Sequence, residues 1–106
     1  MLKPFFVWQN KVLKRIDPEK VMCLLTKKNY THICLSDETV YMVRSSLSGA
    51  LKKLPGEMFI KIHRSSVASI YFIDKIARDH LIIKGETVAI GRQYYHSVIK
   101  KLNIIE

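Results

Sequence analysis

Phe59-Ile60-Lys61-Ile62-His63 alternates apolar and polar side chains and then breaks off at Arg64-Ser65-Ser66. A period of two predicts a β-strand with Ile60 and Ile62 on one buried sheet face and Lys61 and His63 on the other. Short hydroxyl residues compete for backbone hydrogen bonds, so Ser65 and Ser66 predict that the strand gives way to a loop running to Ser69. Such a loop would present Arg64 and the serines at the surface from a rigid base, where binding groups commonly sit. Taken alone, His63 reads equally as a histidine satisfied within the fold or as a group that orients the loop. Arg64 reads as a solvated rim charge or as an anion clamp.

The rest of the chain supplies partners for that strand. Phe5–Trp8 and Val12–Ile16 flank Gln9-Asn10-Lys11 and predict an opening hairpin. Asp17-Pro18-Glu19-Lys20 suits one helical or 3₁₀ turn. Val21–Thr26 and Thr31–Ser36 predict a second hairpin around Lys27-Lys28-Asn29-Tyr30. Pairing Thr26 with Thr31 sets Leu24 opposite Ile33 and Met22 opposite Leu35 on one apolar face, with Cys23 opposite Cys34. Thr39–Val43 is β-branched and predicts another strand. The period then changes: Leu47, Ala50, Leu51 and Leu54 fall at helical spacing after Ser45 or Ser46 as N-cap, with Lys52 and Lys53 in the last turn and Pro55-Gly56 as the stop. Beyond Ser69, a short turn at 70–73 precedes a strand through Ile76 to Arg78, and Asp79-His80 makes a tight turn. Leu81–Lys84 and Thr87–Ile90 form a hairpin across Gly85-Glu86. A closing helix shows Tyr95, Val98, Ile99 and Leu102 on one face. The predicted fold class is mostly β with few α elements: antiparallel strands and hairpins, one inserted helix and one C-terminal helix.

A chain of 106 residues, 48% hydrophobic, predicts one folded domain over 1–106. Eighteen Lys and Arg against nine acids give a formal charge of +9, which favours an anionic partner. The excess is spread through the elements, so it predicts a basic surface and not a basic arm. No signal peptide or membrane-length apolar run is visible, which predicts a cytoplasmic protein. Cys23 and Cys34 lack C-x-x-C spacing and read as reduced, partly buried packing residues. An enzyme is not expected. The histidines and cysteines have no metal-ligand or nucleophile-elbow spacing, the carboxylates are scattered through turns, and no Gly-rich phosphate loop is present. No cofactor or metal is expected.

Three loops share one chemistry. Lys27-Lys28-Asn29-Tyr30, Arg64-Ser65-Ser66 through Ser69, and Gly91-Arg92-Gln93 each combine a cation with hydroxyl or amide groups. Cations and hydroxyls hold phosphates, and Arg, Asn and Gln can read base edges. On a chain of this charge the combination favours nucleic acid. The alternative is a basic β-rich interaction module that docks an acidic protein or membrane surface. An RNA binder is disfavoured by the lack of an exposed aromatic platform.

The order Phe59-Ile-Lys-Ile-His63-Arg64-Ser65, a strand pair, then Val88-Ala-Ile90-Gly91-Arg92-Gln-Tyr94 and a helix resembles the LytTR-type DNA-binding domain, the output domain of LytR/AlgR-type bacterial response regulators. The family pattern runs close to F-x-R-I-H-R-S-x-x-V-N and later (I/V)-x-(S/G)-R-x-Y. An upstream Asn29-Tyr30 hairpin and a Ser46-Leu47 helix start also match, so the resemblance covers about Phe5 to Leu102.

The resemblance implies an elongated set of three antiparallel sheets whose loops enter successive major grooves of double-stranded DNA in transcriptional regulation. It implies repeated half-sites bound by two protomers, with a receiver or sensor domain outside this chain or a stand-alone regulator. By position, Arg92 matches the family's base-reading arginine, and Lys28-Asn29-Tyr30 matches the first DNA-facing loop. The implied DNA-binding set is Lys27, Lys28, Asn29, Tyr30, His63, Arg64, Ser65, Ser66, Ser69, Arg92 and Gln93. Within it Lys27, Lys28 and Arg64 grip phosphates, and Arg92 with Asn29 selects bases. Ser69 stands where the family has asparagine; its single hydroxyl implies contact with phosphate alone or through water. Ser66 stands where a larger residue is usual.

Overall fold

The computed structural model describes residues 2–106. The chain opens with β1 (Phe5–Gln9) and β2 (Val12–Ile16), joined through Asn10 and Lys11 at φ 50° and 66°. Positive φ at both turn positions matches the right-handed twist of the flanking strands. Pro18–Lys20 forms the expected 3₁₀ turn. β3 (Val21–Lys27) and β4 (Tyr30–Leu35) follow, then β5 (Val40–Val43). The β3–β4 turn is tighter than the sequence suggested: Lys27 pairs with Tyr30, leaving only Lys28-Asn29 at the tip.

After α1 (Leu47–Leu51) come β6 (Phe59–His63) and β7 (Ser66–Ser69). These complete a five-stranded antiparallel sheet in the order β5-β4-β3-β7-β6. The loop expected from Arg64 to Ser69 is instead a two-residue turn, Arg64-Ser65, leading straight into β7. The four β7 residues are all buried. Serine's preference for turns yields here to the gain from pairing β7 with both β3 and β6, which satisfies its backbone inside the sheet.

One-sided burial of the central strand is also corrected, because this sheet is covered on both faces. Phe59, Val67, Leu24 and Ile33 pack into one core with Val7, Ile16, Leu47 and Leu54. Ile60, Ile62 and Ala68 pack into a second core with Leu81, Ile83, Ile90 and Val98. A bulge between Val21 and Cys23 overturns the expected pairing of Met22 with Leu35: Val21 pairs there. The extra residue turns Val21 into the first core and leaves Met22 and Cys23 against the second. Full burial of a valine is worth roughly 1.5–3 kcal/mol, enough to favour a local irregularity of this kind.

The second core is roofed by a three-stranded sheet, order β10-β9-β8, built from β8 (Ile73–Ile76), β9 (His80–Ile83) and β10 (Glu86–Ala89). The strand expected to reach Arg78 ends at Ile76, and His80 belongs to β9 and not to the turn. The β9–β10 turn uses Lys84 and Gly85, at φ 48° and 81°, one residue earlier than the expected Gly85-Glu86. A primed two-residue turn needs positive φ at both places, and glycine takes the second at no steric cost. A 3₁₀ turn at Arg92–Tyr94 leads into α2 (Tyr95–Lys100). Both helices are shorter than their apolar stripes suggested, with Lys52, Lys53 and Leu102 just past their ends. The molecule measures 48 × 32 × 25 Å. Among the described residues no helix is long and apolar enough to cross a membrane.

Candidate nucleic-acid interface

Backbone hydrogen bonds gather the candidate loops at one end of the central sheet. The Thr26 amide on β3 donates to the Ser65 carbonyl at 2.9 Å, joining the β3–β4 hairpin to the Arg64-Ser65 turn. The Gly91 amide donates to the Ile62 carbonyl at 2.8 Å, holding the Arg92 turn beside the end of β6. The Thr31 hydroxyl donates to the Ser45 carbonyl at 2.6 Å, fixing the segment that enters α1. There Ser46 caps the helix by accepting the Gly49 amide at 3.0 Å.

Between these segments lies a depression lined by Thr26, Lys28, Asn29, Arg44, Lys61, Arg64 and Ser45–Ser48. It holds four cations and no carboxylate. Such a wall leaves the Coulomb field unopposed and favours an anion carrying several charges. Lys28, Asn29 and Arg64 were expected here; Arg44 and Lys61 were not. Arg44 carried a legible signal, because Arg44-Ser45-Ser46 repeats the Arg64-Ser65-Ser66 string at another strand exit. Its Nε donates to the Tyr30 hydroxyl at 3.4 Å, and its guanidinium lies 5.6 Å from that ring's centroid. Its hydrogen bond to Tyr30, then the charge interaction between them, favour the charged arginine. Tyr30 thus orients a cation. Lys61 Nζ sits 5.9 Å from the Tyr94 ring centroid and links the depression to the C-terminal turn.

The remaining expected residues divide by exposure. Lys27 is exposed at the end of β3, outside the lining of the depression. Arg92 and Gln93 are exposed on the 3₁₀ turn, which reaches the same end through Gly91. A Cβ on Gly91 would stand 2.8 Å from Tyr94 Cδ2 and 3.5 Å from His63 Cδ2, so any side chain here would force the Tyr94 ring or the turn to shift. His63 is half-buried, and its Nδ1 accepts the Ser65 amide at 3.2 Å. The Ser65 hydroxyl lies 2.9 Å from the same nitrogen. His63 and Ser65 therefore brace the turn that displays Arg64.

Ser66 and Ser69 require correction as surface contacts. They are 7% and 0% exposed. The Ser69 hydroxyl accepts the Tyr71 amide at 3.3 Å and caps the 3₁₀ turn at Ile70–Phe72. The asparagine-to-serine difference thus falls inside the fold, where an exposed phosphate does not reach.

Residues 11–103 match the family model described as the LytTr DNA-binding domain. Among solved structures, the chain is similar to the LytTr DNA-binding domain of a putative methyl-accepting/DNA response regulator from Bacillus cereus. The TM-score is 0.77 at 24% identity, covering 95% of this chain and 96% of that one. That likeness bears on the fold: mostly β, antiparallel, with a few short helices. The comparison with curated proteins returns no match.

Proposed function

The chain belongs to the LytTr DNA-binding domain family, and from that membership we propose that its cationic end grips double-stranded DNA while the loop tips enter major grooves. The observation that carries the reading is the acid-free depression with Lys28, Arg44, Lys61 and Arg64 on its walls. Phosphate contacts position a protein on a duplex, and base contacts give it sequence preference. Arg64 and Arg44, each at a strand exit beside serines, are the phosphate clamps, assisted by Lys27, Lys28 and Lys61. Arg92 reads guanine through its two-pronged guanidinium, and Asn29 at the β3–β4 tip reads adenine. Residues 1–106 act as one domain. Two protomers occupy half-sites spaced about one helical turn, ~10–10.5 base pairs. The regulatory input comes from a receiver or sensor domain, or the domain acts alone.

Selection from a randomised duplex pool at near-physiological salt, followed by competition assays with point variants, tests the proposal. Two enriched half-sites at that spacing are expected. Arg92→Ala should cost about 1–3 kcal/mol on the selected site and relax preference at one or two base pairs. Lys28→Ala should weaken selected and random duplexes alike and reduce the salt slope by roughly one. An unenriched pool, with binding that vanishes as salt rises, would favour docking to an acidic protein or surface. An unchanged specificity ratio for Arg92→Ala would remove the base-reading role.

A further inference from the structure

A larger groove lies on the other side of Arg44. One wall is the N-terminal segment Lys3–Asn10, the other Met42–Ser45 with Gly49–Pro55, and the core residues Leu24 and Ile33 line it. The Gln9 side-chain amide spans the walls, donating to the Met42 carbonyl at 3.1 Å. The volume, about 1080 Å³, is at the upper end of small-molecule sites, which combine an apolar lining with a few polar groups. The charges lining it are Lys3, Arg44, Lys52 and Lys53, with no acid among them. An apolar trough beneath cations fits an amphipathic anion: the chain leaves water along the apolar lining, and the head group meets a cation. Duplex DNA, with a charged backbone and only isolated thymine methyl groups on its groove surface, does not fill such a lining.

Arg44 and Ser45 line both this groove and the depression assigned to DNA. We propose that the groove binds a long-chain carboxylate, with Arg44 taking the head group through its two-pronged guanidinium. Arg44 then serves either the carboxylate or a DNA phosphate, so each ligand lowers affinity for the other by the same factor. The competition rests on the DNA reading above; the groove does not.

The groove is tested without DNA, by titrating the full chain with dodecanoate below its micelle concentration, using calorimetry and amide NMR shifts. Saturable one-to-one binding is expected, with shifts concentrated in Val7–Gln9, Met42–Ser45 and Gly49–Leu54. Dodecanol, matched in chain but uncharged, should bind roughly ten-fold more weakly, as should dodecanoate to Arg44→Gln. Ala50→Trp should fill the trough and abolish binding. Lys53→Glu, at an exposed position of the lining, replaces a cation by an acid without demanding a repacked core and should also abolish it. Scattered or unsaturable shifts, an undiminished response in Lys53→Glu, or binding only to anionic phospholipid vesicles would overturn the site. Dodecanoate should then weaken duplex binding by the wild type and leave that of Lys53→Glu unchanged; equal DNA affinity with the groove filled would overturn the exchange at Arg44. Failure of the ligand-free protein to bind any duplex would instead remove the DNA reading, and the DNA-free titration would still report on the groove.

Discussion

Two cysteines, one on each strand of a hairpin, show how much a single side chain depends on its neighbour. Cys23 and Cys34 face each other across β3 and β4, as the Thr26–Thr31 register implied, and both are free and half-buried. The hydrogen bond from Cys23 lowers the Cys34 thiol to about 7 against the opposing effect of burial, while Cys23 is pushed up, by that same bond first and by burial second. Only the thiolate attacks an alkylating agent. Labelling at pH 8 should therefore reach Cys34 before Cys23, with a midpoint near 7 when the rate is followed against pH by mass spectrometry. Cys23→Ala removes the donor and should move that midpoint up towards the ordinary thiol value. Ser46 offers a second test at this scale. Its hydroxyl holds the Gly49 amide, so Ser46→Ala should cost about 1 kcal/mol in urea unfolding. Single residues were legible in sequence where they carried a local job, as Ser46 did. Ser69 was not: its burial follows from pairing with Phe59 across the sheet, which no local pattern reveals.

Among the elements, the hairpins were the most legible, because β-branched runs bounded by turn residues leave few alternative registers. The β3–β4 register from Cys23 to Thr26 is the one the sequence dictates. Its bulge was not legible, since Val21 and Met22 are both apolar and only the presence of a core on each face decides between them. The Arg64–Ser69 segment misled for a related reason: two serines beside an arginine look like a loop until β3 is available to pair with them. The Arg92 turn is the element whose placement is most exposed to substitution. In Gly91→Ala the new methyl would meet the Tyr94 ring at 2.8 Å, too close to remain, so the ring or the turn must shift. Selected duplexes should then lose more affinity than random ones, with the fold intact by circular dichroism. Equal losses on both would place Arg92 outside the specific contacts.

At the scale of the molecule, the mostly β architecture and the family were readable because several weak motifs occur in one order along nearly the whole chain. The two cores were not, because adjacent buried residues such as Phe59 and Ile60 contradict a one-sided strand only once layers are known to cover both faces. The electrostatic end was half readable: the loop cations stood out, while Arg44 and Lys61 lay in segments that looked structural. If all five of Lys27, Lys28, Arg44, Lys61 and Arg64 meet phosphates, log affinity for random duplex should fall with log salt at a slope of about −4.5. A slope near −1 would limit the grip to one or two of them.

The strand order carries a last consequence, in units of length. The β3–β4 and β6–β7 hairpins lie side by side in one sheet as β4-β3-β7-β6, so their tips are about two strand spacings apart, roughly 10 Å. Three base-pair steps of about 3.4 Å measure nearly the same. The sheet is in effect a ruler with strand-wide divisions. In the DNA-binding arrangement proposed above, the Asn29 tip and the Arg64 turn would meet the duplex about three base-pair steps apart, and that interval would change only if a strand were added or lost.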